Sequence, residues 1–480
     1  MSADTLDERP RVGRANPAFD VRLSTALTVG KMALLASRRL GVGGGTALPG
    51  VLATKLDTAV LVKLTRALPR GTTLVTGTNG KTTTSRLLAA ILEHDGWRPV
   101  HNRAGSNMVS GLTTALIERS NLVGRTDGDS ALLEVDEAVM PHIVAGVQPR
   151  VLVLTNLFRD QLDRYGEVDF VANRWKEALR GLSEKTTVVL NADDPAVAAL
   201  GRDLRSPVLY FGIDAPDTGS STLSPAADSK NCPFCGTPLR YNSVRYAHVG
   251  DYTCPGGDFA RPNPDVAVRA LTLQGIDATE VDVRGPFGDR HWTFRLPGLY
   301  NAYNLLAAAT GAIALGVSLS AIEAGVSGFS AAFGRLERVQ VGDRTLFFAL
   351  IKNPVGFTEV LRTLLVEPGQ KHVAIFINDN LADGTDVSWL WDADVEVLAG
   401  RCERVVVSGT RAGDMAVRLK YAGVPVDRIH QIPSTEQALD DGLKALPPGG
   451  TLYVLPTYTA MLDLRTLVSR RGHADRYWET

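Results

Sequence analysis

Between Thr76 and Thr84 the chain reads Thr-Gly-Thr-Asn-Gly-Lys-Thr-Thr-Thr, directly after a β-like run, Thr72–Val75. A glycine-rich turn that leaves a strand and opens a helix points backbone N–H groups at a phosphate. Gly77, Thr78, Asn79 and Gly80 would make that turn, with Lys81 reaching the terminal phosphates, Thr82 ligating Mg²⁺ and Thr83 completing the set. The strict pattern wants a glycine five residues before Gly80, and Val75 stands there, so the loop is a shortened variant. The implied ligand is ATP. A site of this kind needs a second metal ligand, and Glu134, in the run Ala131-Leu-Leu-Glu-Val-Asp-Glu137, would bring a carboxylate to a strand tip. Asp136 and Glu137 are weaker candidates. Thr155, Asn156, Asp160 and Asp163 crowd the start of a later loop, as site residues or as helix caps, and Asn191-Ala-Asp-Asp-Pro195 reads as a turn and cap.

A second constellation is Cys232-Pro-Phe-Cys235-Gly, whose spacing turns two thiolates onto a zinc ion, with Cys254 as a third ligand. His248, Asp258 or water would complete a tetrahedron; a knuckle that folds without metal is the alternative. Cys402 lacks the tight glycine setting of a nucleophile and reads as a small core residue.

The elements that must carry these residues alternate. Strands are expected over Thr72–Gly77, Ala131–Val135, Arg150–Leu157, Thr186–Asn191 and Pro207–Phe211, and helices between them. That pattern implies an α/β chain with a doubly wound, mainly parallel, Rossmann-like sheet. The cysteines sit in an insertion, 224–262. Short strands follow over Ala267–Pro297, then an alanine-rich helix, Asn301–Leu315. A second Rossmann-like unit has expected strands Thr345–Ile351, His372–Ile377, Arg404–Val407 and Thr451–Leu455, with helices Gly356–Val366 and Asp414–Ala422. The expected division is 1–69, an extension with a disordered start, the helix Val21–Leu40 and a glycine-rich loop, Gly41–Gly50; 70–338, the nucleotide-binding unit; and 339–480. At 480 residues the chain exceeds one core, which fits more than one domain. A net charge of −1 gives no electrostatic case for nucleic acid. There is no apolar run long enough to span a bilayer, and the polar N-terminus lacks signal-peptide layout, so a cytoplasmic enzyme is expected.

Thr76–Thr84, the Glu134 run, Thr155–Gly166 and Asn191–Pro195 together resemble the Mur ligase superfamily, as do Pro297-Gly-Leu-Tyr-Asn-Ala-Tyr-Asn304 and Phe333-Gly-Arg-Leu-Glu337. The resemblance implies activation of a carboxylate by ATP as an acyl phosphate, which an amine then attacks, and it places Asn301 and Asn304 beside the nucleoside. Gln161 stands where members often carry histidine. Lys176 is the nearest residue to a carbamylated lysine of the family, but its spacing is one residue off and no role is assigned to it.

Within the superfamily, Ile377-Asn-Asp-Asn-Leu-Ala-Asp-Gly-Thr-Asp-Val-Ser-Trp-Leu-Trp-Asp392, Lys352-Asn-Pro354 and Ser408–Asp414 resemble the MurT family, the ligase subunits of lipid II isoglutaminyl synthase. This resemblance covers about residues 30–470. It implies amidation of the D-glutamate α-carboxyl of the lipid II stem peptide at the inner membrane surface. It also implies a heterodimer with GatD, a class I glutaminase whose Cys/His pair an aspartate of the ligase completes, here Asp383 or Asp386. Family members close the cysteine knuckle with a second pair, whereas here Gly257 stands at the fourth cysteine. Two rivals remain at this point: an amino-acid-adding ligase of the Mur or folylpolyglutamate synthase type, and a nucleic-acid-binding module built on the cysteine insertion. Trp389 and Trp391 are assigned either to the core or to a pocket or partner surface.

Overall fold

A computed structural model describes residues 20–40, 47–102, 106–160, 168–220, 222–224, 227–329 and 335–474. Residues 1–19, most of the 41–50 loop, Gln161 to Asp163, and Phe333 with Gly334 lie outside that description.

Short β-branched and leucine-rich runs bury both faces of a strand, the property of parallel sheets covered by helices. Six such strands lie side by side: β1 (Thr72–Thr76), β2 (Pro99–His101), β3 (Ser130–Glu134), β4 (Val151–Leu154), β5 (Thr187–Asn191) and β6 (Val208–Ile213). Two more, β7 (Arg240–Tyr246) and β8 (Val249–Thr253), form a separate antiparallel hairpin in the insertion. Next come β9 (Val266–Gln274), β10 (Ala278–Gly285) and β11 (Gly288–Phe294), which extend the first sheet to nine strands in the order β11-β10-β9-β6-β5-β4-β1-β3-β2. Pairing is parallel from β2 through β9 and antiparallel beyond. The alanine-rich helix, observed as Leu299–Leu315, packs on this sheet with Ala302, Leu305, Ala307 and Ala308 fully buried. The chain order reverses around β1, which pairs with β3 on one side and β4 on the other. Loops beyond the carboxyl ends of strands at such a switch point splay apart and leave a crevice for a ligand.

The second sheet holds β12 (Arg335–Val341), β13 (Arg344–Ala349), β14 (Lys371–Phe376), β15 (Cys402–Ser408), β16 (Ile429–Gln431) and β17 (Thr451–Pro456), in the order β12-β13-β17-β14-β15-β16. All pairs are parallel except β12 with β13. β12 crosses the division expected at 338/339 and belongs wholly to this second sheet. The strand expected over Arg150–Leu157 ends at Leu154, because Thr155 and Asn156 turn away to bind the phosphate loop. Two helices that the sequence reading omits, Leu48–Leu56 and Val60–Arg66, cover the first sheet beside Val21–Leu40.

The helix Pro354–Leu364 begins at Asn353, whose Oδ1 accepts from the Gly356 N–H at 2.8 Å. Its Glu359 is buried, and burial pushes the carboxyl up to about 7 against the pull of Arg362 at 3.0 Å. The folded chain therefore holds a proton here that the unfolded chain releases near pH 4.5. Stability from this group is complete below that pH and falls as pH rises through about 7, by about 3 kcal/mol in all. In urea titrations at pH 5 and pH 8, Glu359→Gln should flatten the pH slope relative to the parent chain. An unchanged slope would remove Glu359 from the account.

Candidate active site

The expected phosphate loop hangs between β1 and the helix Lys81–His94, and its conformation needs its glycines. Gly77 and Gly80 have φ of +135° and +83°. A Cβ on Gly77 would lie 2.1 Å from Thr155 Oγ1, and one on Gly80 only 1.9 Å from Asn304 Oδ1. The segment after β4 fastens the loop from below. The Thr78 N–H donates to the Asn156 carbonyl at 2.9 Å and the Asn79 N–H to Asn156 Oδ1 at 2.8 Å. Thr155 Oγ1 donates to the Asn79 carbonyl at 2.8 Å, and the Phe158 N–H to Thr78 Oγ1 at 2.9 Å. Gly80 caps the helix without a side chain to close the first turn, the arrangement that leaves N–H groups for an anion.

Charges gather around this turn. Thr82 Oγ1 donates to Glu134 Oε2 at 2.8 Å, so the two expected metal ligands stand side by side at the ends of adjacent elements, with Thr83 buried one residue on. Lys81 is buried and pairs with Glu137 at 2.8 Å, also donating to the carbonyls of Gly77 and Thr78. Burial, the largest single influence, pushes the Lys81 ammonium down, but Glu137 together with Glu134 and Asp136 outweighs it and the group stands above its ordinary value. Glu137 is raised by burial and lowered more by Lys81 and Lys352, so it stays ionised. Glu137, ranked below Glu134 from sequence, is thus the nearest anion to the loop lysine.

The second sheet reaches the same place. Lys352, in the turn after β13, pairs with the buried Asp160, whose carboxyl burial raises despite that partner. Asn353 Nδ2 donates to Asn79 Oδ1 at 3.0 Å, so the second unit touches the phosphate loop itself. Asn301 and Asn304 lie on the first turns of Leu299–Leu315, bonded to each other at 3.0 Å, and both are buried.

Other expected residues fall elsewhere. Asp383 is buried and accepts from the N–H of Thr459 at 2.8 Å and from its hydroxyl, which uses both oxygens. Asp386 is exposed, and the Ser388 N–H at 2.8 Å holds its carboxyl below the ordinary value. Lys176 stands over the Phe234 ring of the insertion, 5.6 Å from its centroid. Burial pushes the Cys402 thiol up to about 12, which makes it an inert core thiol. Leu390 is buried in a short 3-10 turn, while Trp391 is exposed and meets the Tyr421 ring edge-on. The sulfurs of Cys232, Cys235 and Cys254 lie within 4.8 Å of one another. His248 is elsewhere: it is buried against the Phe158 ring, and its Nδ1 accepts from the Asp228 N–H at 3.2 Å.

Comparison with known proteins fits this geometry. Residues 75–253 match the Mur ligase middle domain, and residues 350–461 match the MurT ligase C-terminal family. The chain is 33% identical over 457 residues to the lipid II isoglutaminyl synthase (glutamine-hydrolyzing) subunit MurT of Streptococcus pneumoniae, covering 94% of this chain and 98% of that one. The chain belongs to the MurT family. The MurT subunit of Staphylococcus aureus strain N315 is also 33% identical, over 453 residues, with 94% and 98% covered. Among solved structures, a pseudomurein peptide ligase type C from Methanothermus fervidus superposes with TM-score 0.65 at 21% identity, over 88% of this chain and 84% of that one. The MurF ligase of Thermotoga maritima in complex with ADP gives 0.61 at 14%, with the same shares covered. These two carry the fold. MurT family membership makes the chain a ligase of peptidoglycan biosynthesis and implies ATP and Mg²⁺. The residues fit both, since a Cβ would fill the cradle at Gly77 and Gly80, and Thr82 and Glu134 pair two oxygen ligands beside it.

Proposed function

We propose that the chain amidates the D-glutamate α-carboxyl of the lipid II stem peptide, using ATP and ammonia supplied by a GatD-type glutaminase. The observation that carries this reading is the meeting of the two units at the phosphate loop, where Lys352 and Asn353 face Asp160 and Asn79. The loop amides and Lys81 would hold the ATP phosphates, and Asn301 and Asn304, on the helix that props Gly80, would contact the nucleoside. Mg²⁺, held by Thr82 and Glu134, would supply positive charge to the transferring phosphoryl group. Lys81 steadies the charge that develops as the substrate carboxylate attacks the γ-phosphate. Ammonia then adds to the acyl phosphate and phosphate leaves. Lys352 and Asn353, lying across the loop, keep water from that intermediate.

Of the two aspartates proposed to complete the glutaminase's Cys/His pair, Asp386 is better suited. It is exposed and held ionised, whereas both Asp383 oxygens are bound to Thr459. Asp386→Asn should cut glutamine-driven amidation about 10²-fold or more while ammonium-driven amidation stays near the parent rate. Loss of both activities, or of neither, would refute the assignment.

The cysteine cluster supports a structural zinc with Asp258 as fourth ligand. A Cβ built on Gly256 meets Asp258 Oδ2, Cys254 Sγ and Cys235 Sγ at 3.4, 3.5 and 3.8 Å, so these three atoms surround one point. Purified protein should carry one zinc, by atomic emission, that Asp258→Ala surrenders to a chelator at least about tenfold faster while Asp258→Cys retains it. Equal release from the alanine variant would exclude Asp258.

A further inference from the structure

The helix Val21–Leu40 is apolar on two opposite sides. On one, Ala26, Leu27 and Leu34 are buried, and with them Gly30, where a Cβ would sit 2.9 Å from Ile117 Cδ1 and 3.5 Å from the Ala53 Cβ. On the other, Val21, Thr25, Met32, Leu35 and Arg39 recur at spacings of three, four and seven, which puts them in one outward row. Val21, Met32 and Leu35 are 66%, 57% and 58% exposed. The neighbouring helix Leu48–Leu56 repeats the arrangement: Ala53 is buried, and Leu48, Val51 and Lys55 face out, with Leu48 53% exposed. A surface helix that folds against a core needs one apolar stripe, so a second stripe facing water calls for something to cover it.

The charge around this face says what. Residues 21–40 and 47–56 contain Arg22, Lys31, Arg38, Arg39 and Lys55 and not one aspartate or glutamate, in a chain whose net charge is −1. Arg38 pairs with Glu118, which leaves Lys31, Arg39 and Lys55 beside the exposed leucine and methionine, the composition of a surface that rests in the headgroup region of an anionic bilayer. No helix of the described residues is long and apolar enough to cross a membrane, so the contact would be peripheral. We propose that Val21–Leu40 and Leu48–Leu56 dock the enzyme on an anionic lipid surface, with Met32, Leu35, Leu48 and Val51 entering the interface and Lys31, Arg39 and Lys55 meeting the headgroups. This rests on the reading that the substrate is lipid-linked; docking would hold the site where that substrate is concentrated.

The test is co-sedimentation of the full chain with vesicles of phosphatidylglycerol and phosphatidylcholine, and with vesicles of phosphatidylcholine alone. The chain should bind the anionic vesicles and release at high salt. The double variant Met32→Glu, Leu35→Glu should partition at least tenfold less, and the triple variant Lys31→Gln, Arg39→Gln, Lys55→Gln should lose the preference for phosphatidylglycerol. All these side chains are exposed or half-buried, so circular dichroism should be unchanged. Amidation of a water-soluble precursor should be as fast in the variants as in the parent. Vesicle binding is read without catalysis, so it stands or falls separately from the proposed reaction. The proposal is overturned if the parent chain ignores anionic vesicles or if the glutamate variant binds like the parent. It is also overturned if light scattering shows a dimer that Met32→Glu separates, or if the glutaminase subunit competes with vesicles for this face.

Discussion

Lys81→Ala is expected to lower ATP-dependent amidation by at least about 10³-fold, with binding of the amide-acceptor substrate little affected. Lys81 is the cation at the start of the helix that follows Gly80, and its Nζ lies within 2.8 Å of Glu137, inside the loop that would wrap the phosphates. No other cation is hydrogen-bonded to that loop's carbonyls among the described residues. The single substitution also leaves Glu137 buried without its partner, an effect of about 3–5 kcal/mol on stability that could imitate a catalytic loss. The double variant Lys81→Met, Glu137→Gln separates the two. It removes both charges, should recover much of the thermal stability and should remain inactive. Recovery of activity along with stability would mean that Lys81 serves the fold alone.

The second large effect is expected at Lys352. Lys352→Met should reduce kcat about 10²-fold while the KM for ATP changes much less, because the residue belongs to the unit that closes over the loop and not to the loop. Its pairing with Asp160 spans 192 residues of sequence and joins the two sheets. Without Lys352, Asp160 loses the attraction that opposes its burial, and its carboxyl rises further and takes up a proton. Asp160→Asn in the same chain removes that burden. If Lys352 acts on the reaction, the pair of substitutions restores stability and leaves kcat low; if it only ties the units together, both recover.

Local chemistry is legible in this sequence, and contacts between distant segments are not. The strand, glycine turn and helix start around Gly77–Lys81 are legible in the sequence because the parts are contiguous and each has local chemistry. The place of Glu134 is legible because it ends a buried strand, and the structure sets it beside Thr82. The pairing of Glu137 with Lys81 is not legible, since its partner lies 56 residues away and nothing local distinguishes it from Asp136. The contacts of Asn79 with Asn353 and of Asp160 with Lys352 depend on how two sheets meet, which no spacing encodes. The same limit explains the cysteine insertion. His248 and Asp258 were equal candidates by composition, and the turn at Gly256 and Gly257 brings Asp258 to the sulfurs while His248 is drawn into the core against Phe158. A strand over Arg150–Leu157 overreaches because Thr155 and Asn156 are compatible with a strand, yet their side chains are taken by the Thr78–Gly80 turn.

The most direct test of the proposed reaction is mass spectrometry of lipid II incubated with the chain, ATP and Mg²⁺, given either ammonium or glutamine, with and without a class I glutaminase subunit. The account predicts the small mass loss of a hydroxyl exchanged for an amino group on the D-glutamate α-carboxyl. It should depend on ATP and on Lys81, and glutamine should serve only when the glutaminase is present. An unaltered lipid II under every condition, with ATP turned over instead when free amino acids are supplied, would contradict it and place the chain with the amino-acid-adding ligases.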